Sequence, residues 1–251
     1  MQTEELNKSI NEILNARYLV ALTGAGVSTD SGIPDFRSKS EGLWYHFDAM
    51  EIFSLSRFLS NPVPFYEFAR DFIFPMLERK PNVTHVALAK LEKKGPLKAL
   101  ITQNIDLLHE KAGSKNIYEL HGNFLHSTCM KCGKIYTLEE VQEKMRKEKV
   151  PRCDNCGGVI KPNIVFFEEN LPYKVLEDAY SEVEKCDLLL IVGTSLQVYP
   201  AAELPLAAKR NGAKLISVNR ESTPLDKWID YKLNMALTVF SSALLRKLQE
   251  E

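Results

Sequence analysis

The stretch TGAGVSTDSGIPDFRS, residues Thr23–Ser38, directly follows the apolar run Tyr18–Leu22. Small residues at the end of a buried strand allow the backbone to approach a phosphate group closely, because glycine carries no Cβ. Gly24 and Gly26 fill the first two positions of the dinucleotide fingerprint G-x-G-x-x-G, whereas Thr29 stands at the third. The stretch therefore predicts a phosphate-binding turn that differs from the turn of ordinary dehydrogenases.

The residues that follow argue against hydride transfer. A dehydrogenase of this class carries an acidic residue at the end of a second strand, about 20 residues after the glycines. The chain there reads Glu41-Gly42-Leu43-Trp44 and lies in a segment rich in aromatic residues. An ordinary NAD-dependent oxidoreductase is therefore not expected.

Buried strands and helices alternate along most of the chain. Apolar runs that end in polar or small residues lie at 98–102, 188–192 and 214–218, and helical patterns lie at 4–16, 84–94, 174–185 and 201–211. This alternation predicts an α/β fold with a Rossmann-like, doubly wound parallel sheet. Ligands bind outside the carboxyl ends of the strands in such sheets, so the polar strand exits should meet at one crevice.

Two segments break this alternation. Residues 39–80 are rich in aromatic side chains and contain several prolines, which predicts short packed helices, and residues 124–159 contain paired cysteines. We expect these segments to form a smaller lobe made of a helical insertion and a zinc ribbon. The large domain then comprises approximately residues 1–38, 81–123 and 160–251 of a single core.

The composition excludes several functional classes. The 251 residues include 32 basic and 33 acidic side chains, so the chain lacks the overall positive charge of a dedicated nucleic-acid binder. No apolar run approaches the roughly 20 residues that span a bilayer. The first ten residues lack the pattern of a signal peptide, so we expect a cytoplasmic protein without membrane or direct nucleic-acid partners.

The cysteine spacing indicates a metal site. The pairs Cys129-Met-Lys-Cys132 and Cys153-Asp-Asn-Cys156 are separated by 20 residues, as in tetrahedral zinc sites. Four sulfur ligands leave no open coordination position, so the zinc should be structural. Disulfides or free thiols are the alternatives, and Cys186 is expected to be a packed core thiol.

Motifs at the predicted strand exits occur in a familiar order: GAGVS, SGIPDFR, TQNID, ELHG, KPNIVFF, GTSLQVYPA and a final VN. With the four cysteines they resemble the sirtuins, the NAD-dependent protein-lysine deacylases, over nearly the whole chain. The resemblance implies a large NAD-binding domain and a small lobe of helices and zinc, with cofactor and substrate meeting in the cleft between them.

The resemblance also implies which residues contact NAD. On the pyrophosphate side and the mobile cofactor loop these are Ala25, Gly26, Thr29, Asp35, Phe36 and Arg37. At the nicotinamide and its ribose they are Gln103, Asn104, Ile105 and Asp106, with Asp106 taking the carboxamide. At the adenosine end they are Gly193, Thr194, Ser195, Asn219, Arg220 and Ala236. Judged singly, Asp35 and Arg37 are more often a surface ion pair than ligand contacts, and Phe36 is more often a core residue.

His121, in the family's HG motif, is the expected general base, with Asn104 and Asp106 as further catalytic residues. An imidazole titrates at about pH 6.5, close to working pH, and can take a proton from a ribose hydroxyl. The expected products are nicotinamide and 2′-O-acyl-ADP-ribose. The other histidines are expected to be structural hydrogen-bonding residues: His46, His85, His109 and His126.

The substrate is expected to be an acetylated protein or peptide, bound as an extended strand. Val165, Phe166 and Phe167 should line an apolar tunnel for the lysine stem and acyl group, although such a run by itself is typical of a core strand. Glu168 departs from the family's usual glycine, which puts peptide contacts at this position in doubt and could bias the enzyme toward basic peptides.

Acyl preference is expected to be for acetyl and other neutral groups. Relatives that remove succinyl groups use a Tyr-x-x-Arg pair, but Tyr66 is followed three residues later by Ala69, and Arg70 is one position out of phase. One residue is about 100° around a helix, so Arg70 should point elsewhere.

Two other functional classes remain open. A mono-ADP-ribosyltransferase, or another enzyme that cleaves the glycosidic bond of NAD, would share the NAD-binding residues. A noncatalytic module that binds zinc and NAD would not need His121 and Asn104 together.

Overall fold

The computed structural model describes residues 2–35 and 42–250. Its largest element in those ranges is a six-stranded parallel sheet with strand order β3-β2-β1-β7-β8-β9. A second sheet has three antiparallel strands in the order β5-β4-β6. The strands are β1 (Leu19–Thr23), β2 (Leu97–Thr102), β3 (Ile117–Glu119), β4 (Gly122–Cys129), β5 (Ile135–Thr137), β6 (Ile160–Ile164), β7 (Leu188–Val192), β8 (Lys214–Asn219) and β9 (Tyr231–Asn234).

Helices cover both faces of the large sheet and build most of the small lobe. They are α1 (Gln2–Asn15), α2 (Leu43–His46), α3 (Ala49–Phe53), α4 (Leu55–Ser60), α5 (Val63–Phe68), α6 (Phe74–Met76), α7 (Val83–Lys94), α8 (Leu108–Ala112), α9 (Leu138–Lys147), α10 (Tyr173–Lys185), α11 (Leu204–Arg210) and α12 (Leu237–Glu250). Short 3₁₀ helices span Ala25–Ser31, Ala201–Glu203 and Asp226–Trp228, and a π-helical turn spans Ala69–Ile73. None of the helices in the described ranges is both long and apolar enough to cross a membrane.

The large sheet is doubly wound because its strands are apolar on both faces. Every residue of β1 is buried, and alternate side chains enter different cores. Leu19 and Ala21 pack with α1, α7 and α12 on one face, whereas Val20 and Leu22 pack with α10 and α11 on the other. The predicted fold class is confirmed.

The small lobe has a core of its own. The phenylalanines of the helical insertion pack against side chains of β4, β6 and α9, so one cluster joins the helices to the cysteine-bearing segment. Phe53, Phe58 and Phe65 meet Phe166 with ring centroids 5.0–5.8 Å apart. Aromatic burial of this kind stabilises a lobe that has only a three-stranded sheet.

The predicted elements occur, with differences at short or strained segments. The expected helix at 201–211 begins as a 3₁₀ turn and becomes α-helical only from Leu204 to Arg210. The sequence pattern did not predict strands β3 and β9, because each lies at an edge of the sheet, is only partly buried and so lacks a continuous apolar run.

Candidate active site

The carboxyl ends of the central strands open into one cleft with a volume of about 750 Å³. The strand order reverses at β1, with β2 and β3 on one side of it and β7, β8 and β9 on the other. Doubly wound sheets bind ligands at such a reversal, outside the carboxyl ends of the strands. The predicted residues that line the cleft are Ala25, Gly26, Thr29, Asp35, Gln103, Asn104, Ile105, His121, Val165, Phe166, Phe167, Gly193, Thr194, Ser195, Asn219 and Arg220.

Some predicted residues lie elsewhere. Asp106 does not line the cleft but lies behind its wall, bonded to Ser28. Ala236 does not line the cleft either, although its neighbour Leu237 does. Phe36 and Arg37 are outside the described residues. Six further lining residues were not predicted individually, although four of them lie inside the quoted motifs and two follow the final VN: Asp30, Gln197, Val198, Tyr199, Glu221 and Ser222.

The glycines bring the ends of β1 and β7 into direct contact. Gly26 N–H donates to the carbonyl oxygen of Gly193 across 2.9 Å, and a Cβ at Gly26 would lie only 2.8 Å from that oxygen. Gly193 has φ +59°, and a Cβ there would lie 2.6 Å from the Val27 nitrogen. Glycine is therefore required at both positions by the contact between the two strand exits. Because Gly26 and Gly193 also line the cleft without side chains, a pyrophosphate could approach their backbone closely, so these residues fit NAD.

Polar side chains tie the other strand exits together. Asn219 accepts a hydrogen bond from Thr194 N at 2.9 Å and donates to Ser217 Oγ at 2.9 Å. Gln103 Nε2 donates to Thr194 Oγ1 at 3.0 Å. The Asn219 side chain therefore holds the Gly193–Thr194 turn in place, and its neighbour Arg220 presents the exposed side chain at this end of the cleft.

A buried hydrogen-bond chain backs the predicted nicotinamide pocket. Ser28 Oγ donates to Asp106 Oδ2 at 2.6 Å, and Asn104 Nδ2 donates to Ser28 Oγ at 3.3 Å. Burial raises the pKa of Asp106, while the hydrogen bonds from Ser28 and Leu108 act in the opposite direction. Asp106 thus orients Ser28 and Asn104 at the cleft wall.

The next member of this chain is His85. Asn82 N–H donates to His85 Nδ1 at 3.3 Å, so the ring proton is on Nε2, which lies 3.5 Å from Ser28 Oγ. Burial lowers the pKa of His85 to about 4. His109 packs with its ring centroid 4.9 Å from that of His85, and burial followed by the charge of His85 holds its pKa well below the usual range.

His121 reaches the cleft from the residue before β4. Its Nδ1 lies 2.8 Å from the carbonyl oxygen of Gln103, and because a carbonyl only accepts, Nδ1 carries the proton. Nε2 then carries the lone pair of the neutral imidazole, which is the tautomer that a general base requires. Gly122 follows with φ +67°, and a Cβ there would overlap the carbonyl oxygen of Asn163, which explains the glycine after the histidine.

The three residues of the predicted apolar wall differ in their burial. Val165 is half-buried and Phe167 is 38% exposed, whereas Phe166 is fully buried among the aromatic rings of the helical lobe. Val165 N–H donates to the carbonyl oxygen of His121 at 2.8 Å, so this wall is attached to the backbone of the histidine.

The remaining histidines divide into two groups. His85 and His109 are buried and hydrogen-bonded, as expected of structural residues. His46 and His126 are exposed, and His46 lies edge-on to Tyr45 with ring centroids 5.3 Å apart.

The four paired cysteines form one cluster at the far end of the small lobe. Their Sγ atoms all lie within 4.8 Å of one another, and Cys129–Cys156 and Cys132–Cys153 are 3.4 and 3.6 Å apart. These distances are too long for a disulfide of about 2.05 Å but close to the edge, about 3.8 Å, of a tetrahedron with Zn–S bonds of about 2.3 Å. The cluster is consistent with one structural zinc ion.

Tyr66 and Arg70 are both engaged away from the cleft. The Tyr66 hydroxyl donates to the carbonyl oxygen of Ile160, and burial raises the pKa of Tyr66. Arg70 Nη2 lies 3.2 Å from the Met145 carbonyl oxygen and 3.3 Å from that of Glu148, at the end of α9. Arg70 therefore caps a helix of the small lobe.

The same motifs and the same fold occur in known proteins. A model of the Sir2 family matches residues 24–200. The chain is 47% identical over 251 residues to an NAD-dependent protein deacetylase of Thermotoga maritima, covering 100% of this chain and 98% of the relative.

Solved structures match over the same extent. A Sir2 complex with p53 peptide and NAD⁺ superposes with a TM-score of 0.90 at 45% identity and covers 100% of both chains. A Sir2 complex with deacetylated p53 peptide and 3′-O-acetyl ADP-ribose superposes with a TM-score of 0.92 at 46% identity, covering 96% of this chain and 98% of that one. Each similarity therefore extends over both the large sheet and the small lobe.

Proposed function

The chain belongs to the Sir2 family, and we propose that it is an NAD-dependent protein-lysine deacetylase that transfers the acetyl group to ADP-ribose. One observation carries the proposal. A single cleft holds the close-packed glycines that follow β1 and β7, the His121 ring with its Nδ1 against the Gln103 carbonyl, and the apolar wall at Val165–Phe167.

NAD would lie along the strand exits. The backbone at Gly26 and Gly193 would lie against the pyrophosphate, and Arg220 and Glu221, which line the cleft, would lie at the adenosine end. Asn104 and Ile105 would face the nicotinamide, backed by Ser28 and Asp106. When bound, NAD supplies a ribose carbon that becomes electrophilic as nicotinamide departs.

The chain's own residues then have two tasks. The first is to hold the acetyl-lysine amide oxygen in line with that carbon, because a weak nucleophile reacts only when it is already positioned. The second belongs to His121, whose Nε2 takes a proton from a ribose hydroxyl while the Gln103 carbonyl keeps Nδ1 protonated and the ring oriented. One water molecule is consumed as the amide C–N bond breaks, and nicotinamide, 2′-O-acetyl-ADP-ribose and the peptide with its free lysine amine leave as products.

The substrate wall favours a neutral acyl group. Val165 and the edge of Phe167 offer an apolar surface for the lysine stem, on which each buried methylene contributes about 0.8 kcal/mol. The peptide would bind beside this segment as an extended strand, a mode that reads sequence loosely.

The zinc site and the division of the chain into two domains are also part of the proposal. Cys129, Cys132, Cys153 and Cys156 would hold zinc as thiolates, which fits the reducing environment of the cytoplasm, where we place the protein. The large NAD-binding domain would comprise approximately residues 1–38, 81–123 and 160–251, and the small lobe residues 39–80 and 124–159. Strand β6 lies at this boundary, because it pairs with β4 and contributes Ile160 and Ile164 to the core of the small lobe.

Following two labels through one reaction tests this function. An acetyl-labelled peptide and adenine-labelled NAD are incubated with the protein, and small molecules are separated from proteins. Deacetylation places the acetyl label in an ADP-ribose ester, in a 1:1 ratio with the nicotinamide released. Adenine label retained on protein, with no ester formed, would instead identify a mono-ADP-ribosyltransferase.

A further inference from the structure

The segment that follows β6 forms a tight turn at the mouth of the cleft. Glu169 N–H donates to the carbonyl oxygen of Phe166 at 3.1 Å, and Glu168, the third residue of this turn, has φ +75°. That value is typical of the third position of a type II turn, where glycine is preferred because a side chain strains the backbone. A glutamate keeps such a conformation only where its surroundings hold it there.

Hydrogen bonds to the Glu168 carboxylate stabilise this backbone conformation. Its Oε2 accepts a hydrogen bond from Ser56 N at 2.8 Å, and its Oε1 accepts from Ser54 Oγ at 3.0 Å and Ser56 Oγ at 2.9 Å. These hydrogen bonds lower the pKa of Glu168, and the bond from Ser56 N–H contributes most to that shift. The ionised carboxylate is purely an acceptor, so all three donors match it.

Backbone bonds run beside these side-chain bonds. Phe167 N–H donates to the carbonyl oxygen of Phe53 at 2.8 Å, and Leu55 N–H donates to that of Phe167 at 3.2 Å, which forms a parallel bridge between Ser54 and Phe167. The turn at 166–169 is thus joined to α3 and α4 of the helical lobe through two backbone bonds and the carboxylate of Glu168.

The same segment borders the reacting groups. Phe167 and Glu168 both line the cleft, and Val165 is bonded to the backbone of His121. The Glu168 carboxylate accepts hydrogen bonds from Ser54 and Ser56 of the helical lobe, so its charge is already engaged within the protein. Its contacts therefore favour a role in holding the wall over a role in attracting basic peptides.

We propose that Glu168 is a positioning residue: its carboxylate fastens the turn at 166–169 to Ser54 and Ser56 and so presets the wall on which an acyl-lysine peptide binds. The inference rests on the proposed deacetylase function and specifies how that site receives its peptide. Because the wall is already ordered in the free protein, peptide binding does not have to supply the free energy of ordering it. The effect of Glu168 should therefore appear in peptide binding.

The test compares Glu168→Gln with a matched control, Glu184→Gln, which changes an exposed glutamate of α10. Gln keeps the size of the side chain but removes the charge and places an NH₂ group among donors. We expect Glu168→Gln to raise the KM for an acetyl-peptide about fivefold while kcat stays within about twofold, and Glu184→Gln to match wild type. Ser56→Ala should change KM in the same direction, and adding it to Glu168→Gln should have little further effect.

Hydrogen exchange gives a readout that does not depend on turnover. The amides of Leu55, Ser56 and Phe167 should exchange faster in Glu168→Gln than in wild type or Glu184→Gln. Unchanged KM and unchanged exchange would overturn the proposal. A higher KM confined to basic peptides, with exchange unchanged, would also overturn it in favour of charge selection.

The two proposals can fail separately. If wild type released no acetyl group, the deacetylase function would be wrong, but the exchange comparison would still decide the role of Glu168. Faster exchange at these three amides would support the fastening, and unchanged exchange would exclude it.

Discussion

Lys161 Nζ lies 2.8 Å from Oε2 of Glu169, beneath the wall of the cleft. The Lys161 side chain is only 7% exposed, donates to the Ile164 carbonyl oxygen at 2.8 Å and lies 4.3 Å from the ring centroid of Phe166. Burial lowers the pKa of Lys161, and Glu169 opposes that shift. The pair therefore places an ammonium group in direct contact with a carboxylate inside the fold.

Removing one partner of this pair should be costly. We expect Glu169→Gln to lower the free energy of unfolding by about 3 kcal/mol, because it leaves a buried charge without its counter-charge. The double variant Lys161→Met with Glu169→Gln should recover most of that loss. Urea denaturation at pH 7.5 measures both, and a loss below about 1 kcal/mol in the single variant would show that the pair is dispensable.

The parts of this site that were predictable follow from local rules. β1 and β7 are continuous apolar runs, and Gly24, Gly26 and Gly193 stand where two strand exits touch, so the crevice could be located from the sequence. The zinc cluster was equally clear, since its spacing alone is typical of a metal site.

The less predictable parts depend on contacts that are distant in sequence. The place of Asp106 behind Ser28, and the bonds from Glu168 to Ser54 and Ser56, each join residues more than 70 positions apart. The need for a positive φ at position 168 could be anticipated, but the partner that stabilises it could not. Phe166 illustrates the same limit, because its burial depends on rings contributed by α3–α5.

Stability should decline in mild acid because of His85. An unfolded imidazole binds a proton below about pH 6.5, whereas the pKa of folded His85 is about 4. Between these values the unfolded state binds more protons, so the free energy of unfolding falls as pH falls, by up to about 3 kcal/mol for this residue.

Denaturation at pH 7.5 and pH 5.0 isolates this effect. Wild type should lose more stability between the two values than His85→Gln does, and the comparison cancels the opposing contribution of Asp106, whose pKa is raised. Equal losses in the two proteins would show that His85 is not the acid-sensitive group.

Zinc should stabilise the protein and support its activity. β4 starts at Gly122, next to His121, and ends at Cys129 of the cysteine cluster, so disorder at the cysteines would reach the ring of His121. We expect one zinc per chain, and Cys153→Ser should lose it and lower Tm by at least about 10 °C. Metal analysis and thermal denaturation check this, with Cys186→Ser as the control that retains zinc.

Desuccinylation should be weak. Arg70 caps the end of α9 through the carbonyls of Met145 and Glu148, so it is not aimed at an acyl carboxylate. We expect kcat/KM for a succinyl-peptide at least about tenfold below that for the matching acetyl-peptide, a difference of about 1.4 kcal/mol. Arg70→Ala should leave that ratio unchanged, and a ratio near one in wild type would refute the assignment.

The role of His121 is the central claim, and one comparison tests it most directly. His121→Asn keeps an N–H group near the Gln103 carbonyl but removes the basic nitrogen, and His126→Asn changes an exposed histidine of the same strand-bearing segment. With NAD binding measured in parallel, we expect the deacetylation kcat of His121→Asn to fall by about 10²–10⁴ while NAD still binds, and that of His126→Asn to stay within about twofold of wild type. A His121→Asn enzyme that binds NAD and retains wild-type turnover would contradict the account.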